Sequence, residues 1–405
     1  MALGTVGLGV YKIINSKKEQ ISNILSEDIE IKKILVKNLN KKRNTIVNKD
    51  LLTDNYKDIL DDPEINIVVE VIGGMNPAFE YIKSALKRGK HVVTANKEVV
   101  ANYLEELLEL SEKNNKRIFF EASVGGGIPI IKSLSQIALI NDITQIKGII
   151  NGTSNFILTK MVDDCTSFND SLALAKELGY AEANAKDDVE GDDVARKLSI
   201  LSSLAFKTKV SAESILYRGI SSIDKIDILN FKNMNKSIKL IATAIKDDNR
   251  ISACVEPTLI EENSQFATVN NCFNMISITG NTVQELQFYG QGAGEKPTAN
   301  AVVSDIIDAI KPTYSVCSLK KYKEKYDIDA HIFNGDYYFR VTTSGEKENE
   351  DIINLLIKSK ISYEILEKTC NLVLKIKSIY EDKMDKFISK FKTRYENFCY
   401  VRIAK

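Results

Sequence analysis

Over the first 120 residues, short β-branched runs alternate with segments of helical period. The runs are Ile31–Val36, Ile67–Ile72, His91–Thr94 and Arg117–Ala122; the periodic segments are Gly7–Ser16, Pro77–Lys87 and Lys97–Asn114. Such alternation predicts βαβ units and a parallel sheet. Asn76-Pro77 predicts an N-cap followed by proline at the first helical position. From Ile128 to about Leu286 the pattern changes to long helices with a few strands, and the glycine-rich YGQGAGEKPTANAVVSD leads into a helix from about Thr298 to Ile310. After Pro312, Tyr337–Thr343, Glu350–Ser359, Ser362–Thr369, Asn371–Ser378, Asp382–Phe391 and Glu396–Ile403 read as β-α-β-β-α-β, the ferredoxin-like order.

Composition narrows the function. A chain of 405 residues is too long for one core. Lys+Arg and Asp+Glu are equal at 55 each, so no overall field favours nucleic acid or an anionic membrane. Six scattered cysteines (Cys165, Cys254, Cys272, Cys317, Cys370, Cys399) form no CxxC pair and read mostly as reduced core residues. With two histidines, His91 and His331, proton transfer falls to lysine, carboxylate or tyrosine. No apolar run approaches the roughly 18 residues that span a bilayer, so a cytoplasmic protein is expected.

The chain opens MALGTVGLGVYKII, in which Ala2-Leu3-Gly4-Thr5-Val6-Gly7 fits the dinucleotide fingerprint with alanine for its first glycine. Such a loop follows a central strand, and only Met1 precedes it here. Either the start lies upstream of Met1 or the sheet lacks its middle strand; the loss of core area and ladder bonds favours the first. The next strand ends ILVKNLNKKR. Lys37, Asn38, Lys41, Lys42 and Arg43 stand where a carboxylate would meet a free ribose 2′-hydroxyl, which favours NADP over NAD. A solvated basic loop is the alternative.

Asp193 and Lys197 lie i, i+4 on one helix face, which Ile200 and Leu204 continue as an apolar stripe. The pair thus caps a buried stripe, a setting that suits a proton-exchanging lysine. An ordinary surface pair is the alternative.

Four segments, HVVTANKEVVA (91–101), EASVGGGIPII (121–131), NGTSNFIL (151–158) and LGYAEANAKDDVEGDDVARKLSIL (178–201), together with GAGEKPTANAVVSD (292–305), resemble the homoserine dehydrogenase family. The resemblance covers about residues 2–310. It implies a Rossmann-type parallel sheet, its first strand apparently truncated, an α+β substrate and dimerisation domain, and a ferredoxin-like C-terminal domain. The expected divisions are 1–128 with 287–315, 129–286, and 320–405. It also implies interconversion of L-homoserine and L-aspartate 4-semialdehyde, in threonine and methionine biosynthesis, by a homodimer or homotetramer.

Residue by residue, the resemblance makes Lys197 the proton donor to the aldehyde oxygen, with Lys97 as second catalytic lysine; which is the principal acid/base stays open. Asp193 holds that lysine or the substrate amino group, Glu182 binds substrate and Asp188 supports it. Leu3, Gly4, Thr5, Val6, Gly7, Lys37, Thr94, Lys97, Gly179 and Gly292 face the cofactor. Glu121, with the carbonyls of Val124, Gly126 and Ile128, resembles a monovalent-cation site for Na⁺. Asn184-Ala185 and Asn300 depart from the family pattern without removing a catalytic group.

The C-terminal segment resembles an ACT domain, but Thr343-Ser344-Gly345-Glu346-Lys347-Glu348 replaces its Asp-x-Pro-Gly turn, which argues against threonine feedback. Two rivals remain. An aspartate-semialdehyde dehydrogenase needs a cysteine nucleophile beside a histidine, and none is placed for it. A degenerate paralogue that binds without turnover is suggested by the start and opposed by Lys97, Glu182, Asp193 and Lys197.

Overall fold

The computed structural model describes residues 3–41, 47–316, 319, 326–329 and 333–404. Ala2, Lys42, Arg43, Cys317 and His331 lie outside the described residues. The chain forms two compact units, one of residues 1–144, 199–212 and 276–325, the other of 145–198, 213–275 and 326–405.

In the first unit, β3 (Ile67–Glu70), β4 (His91–Thr94) and β5 (Ile118–Phe119) form a parallel sheet in that order. A separate parallel pair is made by β1 (Ile34–Leu35) and β2 (Leu52–Thr53). Among the described residues no strand joins the two. Asn66 and Glu70 give their carbonyls to His91 and Ala95, so the intervening Ile67 and Val69 turn their backbone groups to the opposite edge. That edge borders a cleft of about 200 Å³ lined by Ile29, Ile31 and Ile67 with Val10 and Ile14. The expected strand Ile31–Val36 is two residues long, matching β2, its one partner among the described residues.

The helix Thr5–Ser16 packs on the helix Glu295–Ile310 around Val10, Ile14, Val302 and Ile306. The approach is closest at Gly9, where a β-carbon would lie 2.8 Å from that of Ala299. The second helix starts at Glu295, three residues before the expected Thr298, because Pro297 is tolerated in a first turn. Asn76 is not an N-cap: Pro77 occupies the cap position, and Met75 and Pro77 carbonyls take Phe79 and Tyr81 N–H.

The second unit departs most from expectation. From Ile128 onward run β6 (Ile143–Ile149), β7 (Leu216–Tyr217), β8 (Lys236–Asp247), β9 (Arg250–Glu261), β10 (Phe273–Gly280) and β11 (Gln284–Gln291), of which β11 and most of β10 belong to the first unit. β8 and β9 pair antiparallel along twelve residues each. All of β9 but its two ends is buried, so the period-2 signal of a half-exposed strand is absent. After β12 (Asp327–Ile328), the C-terminal module is β13 (Asn334–Thr342), the helix Glu346–Lys358, β14 (Ser362–Lys368), β15 (Asn371–Tyr380), the helix Glu381–Phe391 and β16 (Phe398–Ile403). Its order β16-β13-β15-β14 is ferredoxin-like, and β16 pairs parallel with β9. Cys254 and Cys399 are buried, whereas Cys165 and Cys370 are exposed; all four are free thiols.

Candidate active site

The first unit offers a helix N-terminus. Gly4 occupies the N-cap of Thr5–Ser16 without a side-chain cap, and no acidic residue stands in the first turn. The N–H groups of Thr5, Val6 and Gly7 are therefore suited to an anion. Leu3 precedes them half-buried; Lys37 is exposed just past the end of β1. At the ends of β3 and β4, Thr94 is fully buried and donates to Glu70 Oε2 at 2.6 Å, while accepting from Asn96 N. Glu70 Oε1 accepts from Ile72 N, and Asn96 caps the helix that begins with Lys97 while its amide donates to Gly74 O. Lys97 is half-buried at that helix start. Glu70 and Asn96 were not singled out in the sequence, although the carboxylate that ends IVVE breaks an apolar run and was the available signal.

Glu121 is buried and turns both carboxylate oxygens to the helix Ile130–Ile137, accepting from Ile131 N at 2.7 Å and Lys132 N at 2.8 Å. Its own N–H donates to Asp305 Oδ2. Burial pushes Glu121 up to about 7 against the pull of those N–H groups, and pushes Asp305 well up, with Glu121 adding to it. Asp308 is neutralised by Lys132 at 2.9 Å. Val124 and Ile128 are buried beside them, and Ile128 O already accepts from Ile130 N. A β-carbon at Gly126 would lie 2.5 Å from the carbonyl of Gly292, so the two loops touch backbone to backbone.

In the second unit lie Asp193 and Lys197. The helix Asp192–Ala205 carries Asp193 and Lys197, and the ammonium lies 2.7 Å from Asp193 Oδ2. It also donates to Ile150 O at 2.9 Å. The Lys197 side chain is 12% exposed and that of Asp193 2%, so the pair is not a solvated one. Asn151 caps the helix Gly152–Asp164 through Ser154 N, and its amide donates to Asp188 Oδ1 at 2.8 Å and Asp193 Oδ2 at 2.9 Å. Asp188, Asp193 and Lys197 are thus gathered by one asparagine, whose place in NGTSNFIL carries no local sign of partners so distant in sequence. Glu182 is exposed, and among the described residues no hydrogen bond ties it to the pair. Gly179, at φ +76°, ends the helix Phe168–Glu177: its N–H bonds Lys176 O and Tyr180 N–H bonds Ala175 O. That geometry gives Gly179 a helix-terminating role.

An uncapped helix N-terminus in the first unit and a buried ammonium held by a carboxylate in the second each suit a nicotinamide-dependent oxidoreductase, the class to which the matching families belong. The family described as "Homoserine dehydrogenase, NAD binding domain" matches residues 3–121, and "Homoserine dehydrogenase" matches 129–307. The homoserine dehydrogenase of Bacillus subtilis is 43% identical over 311 residues, 77% of this chain and 72% of that protein. A homoserine dehydrogenase crystal structure from Thiobacillus denitrificans matches with TM-score 0.88 at 34% identity, covering 100% of this chain and 97% of that one. A hyperthermophilic archaeal homoserine dehydrogenase in complex with NADPH matches with TM-score 0.66 at 27% identity, covering 78% and 100%. The chain belongs to the homoserine dehydrogenase family.

Proposed function

We propose that this chain reduces L-aspartate 4-semialdehyde to L-homoserine with NADPH, and runs the reverse reaction with NADP⁺. The observation that carries the reading is the Lys197 ammonium fixed by Asp193 and Ile150 O. Two of its three N–H groups are engaged there, which leaves one for the aldehyde oxygen. Bound NADPH supplies a hydride to the aldehyde carbon. As charge grows on the oxygen, Lys197 donates a proton to it, and Asp193 keeps the lysine oriented throughout. In the oxidation direction the neutral amine takes that proton back. Asp188 and Glu182 supply carboxylates for the substrate ammonium, and Lys97 stands at the cofactor side as a relay.

Leu3, Gly4, Thr5, Val6, Gly7, Thr94 and Gly292 form the cofactor side, where the helix N-terminus takes the pyrophosphate. Lys37 and Lys41 favour NADP over NAD by meeting a 2′-phosphate. Glu121 with the carbonyls of Val124, Gly126 and Ile128 is the set we assign to Na⁺ as a structural ion, on the support that Glu121, Asp305 and Asp308 are buried together, with Lys132 as the cation paired to Asp308. We further infer the three-part division 1–128 with 287–315, 129–286 and 320–405, with an ACT-like last part. Assembly as a homodimer or homotetramer and a cytoplasmic location complete the reading; among the described residues no helix is long and apolar enough to cross a membrane. No observation favours the non-catalytic alternative.

The test is spectrophotometric, with NADPH and NADH compared on aspartate 4-semialdehyde. Lys197→Ala is expected to lower kcat by about 10²–10⁴-fold. Near-normal turnover in that variant would remove the assigned role.

A further inference from the structure

Lys239, on β8, is a buried cation that the chemistry above leaves unused. It is 2% exposed, and its ammonium donates to Val269 O at 2.6 Å, Asn270 Oδ1 at 3.0 Å and Asn155 Oδ1 at 3.3 Å. Three donors thus meet three oxygens, all of them neutral. Among the described residues no carboxylate hydrogen-bonds to this ammonium. Burial pushes its pKa down to about 8, opposed by the field of Asp163. A buried charge without an ionic partner is costly to keep, so its position calls for an explanation.

The same three oxygens belong to a single junction. Asn155, 1% exposed on the helix Gly152–Asp164, donates its amide to the carbonyls of Val269, Asn271 and Phe273 at 3.0, 2.9 and 3.1 Å. Thr159 Oγ1 accepts from Asn271 N and donates to Asn155 O. At the head of that helix, a β-carbon on Gly152 would lie 2.9 Å from Cys272 O, so helix and loop meet backbone on backbone. Directly before Gly152 stand Ile150, whose carbonyl holds the Lys197 ammonium, and Asn151, which bridges Asp188 and Asp193.

We propose that Lys239 and Asn155 are positioning residues: they clamp the 269–273 loop against the head of the helix Gly152–Asp164 and so fix the carbonyl and amide that aim Lys197. The inference rests on the reading of Lys197 as proton donor. With the ammonium removed, Val269 O, Asn270 Oδ1 and Asn155 Oδ1 lose their shared donor, and the Asn155 amide and Thr159 are left to hold a loosened loop. Because Cys272 bears directly on Gly152, that motion passes to Ile150 O without an intervening flexible side chain. A displacement on the order of 1 Å at a proton donor is enough to cost up to about 100-fold in rate.

The test compares Lys239→Met and Asn270→Ala with the wild-type chain and with Lys197→Ala. Asn270 is exposed, so its variant folds even where loss of the buried lysine does not permit it. Four quantities are measured: NADPH sites per chain by fluorescence titration, kcat per site, KM for homoserine, and Tm. The expected result is a fall in kcat per site of about tenfold for Lys239→Met and about two- to fivefold for Asn270→Ala, with NADPH affinity and site count unchanged. A purely structural role would instead lower the number of sites and leave kcat per site alone. That outcome, or normal kcat per site in both variants beside an inactive Lys197→Ala, overturns the clamp. A wild-type chain with no NADPH-linked turnover overturns the functional reading, and the clamp with it.

Discussion

Asn151 shows how much one neutral side chain organises. A single amide group reaches two carboxylates, Asp188 and Asp193, and the second of these holds Lys197. Removing it strips a donor from two acids in a nearly dry setting, where an unmet acceptor is expensive. Asn151→Ala is expected to lower kcat about 10–100-fold with a smaller change in Tm, read by steady-state kinetics on chain whose NADPH binding is intact. Glu121 makes a different demand. Its pKa is raised by burial to about 7 from an ordinary 4.5, so the folded chain retains a proton that the unfolded chain gives up. Stability is accordingly full below the unfolded value, declines as pH climbs from about 4.5 to about 7, and then levels. Asp305 and Glu381 shift upward too, so the informative quantity is the difference between wild type and Glu121→Gln. Exchanging choline chloride for sodium chloride should raise wild-type Tm at about pH 8 and leave it unchanged at about pH 5. Glu121→Gln should show no sodium response at either pH; an equal response in both proteins removes Glu121 from the proposed Na⁺ site.

Among the elements, the helix pair Thr5–Ser16 and Glu295–Ile310 is held closest at Gly9. A methyl there would sit 2.8 Å from Ala299 Cβ and 3.0 Å from Glu295 Cγ. Gly9→Ala should therefore lower stability by about 1–3 kcal/mol by thermal melting, and adding Ala299→Gly should recover part of it. If Gly9→Ala melts with the wild type, the helices are less tightly packed than this contact requires. The sequence made β3, β4 and the helix Lys97–Lys113 readable, since their periodicities are local. It hid β8 and β9, which are so thoroughly covered that polar and apolar positions no longer alternate. The same distinction runs through the site. Asp193 and Lys197 declare themselves by a spacing of four residues, whereas Asn151 acts on partners 37 and 42 positions away. Lys239, in KSIKLIATAIKD, has no local neighbour that marks it as buried, and only its contacts with Asn155, Val269 and Asn270 show that its side chain is enclosed.

For the molecule as a whole, the second unit binds its C-terminal module by few backbone contacts and a concentrated set of charges. β16 meets β9 at Arg402 with Thr258 and Ile403 with Leu259. Around that seam Glu256 takes Arg218 and Arg402, and Arg402 also takes Glu381. Arg218 donates as well to Tyr400 O at 2.6 Å. Two guanidiniums and two carboxylates balance, which is why the buried Cys254, Glu256 and Glu381 are not an acidic cage for a metal. Glu256→Gln leaves two buried arginines facing Glu381 alone, and is expected to destabilise by about 3–5 kcal/mol in denaturant unfolding. A loss below about 1 kcal/mol would show that the arginines find water instead.

Chimaeras give that quartet a practical meaning. A foreign module of the same fold grafted after Pro312 would deliver the shape of the partner strand yet not Arg402, Tyr400 or Glu381, and would strand Arg218 and Glu256 inside the host. Exchange of this module is therefore expected to preserve stability only when both sides of the seam travel together, which makes the tail half of a matched joint rather than an accessory.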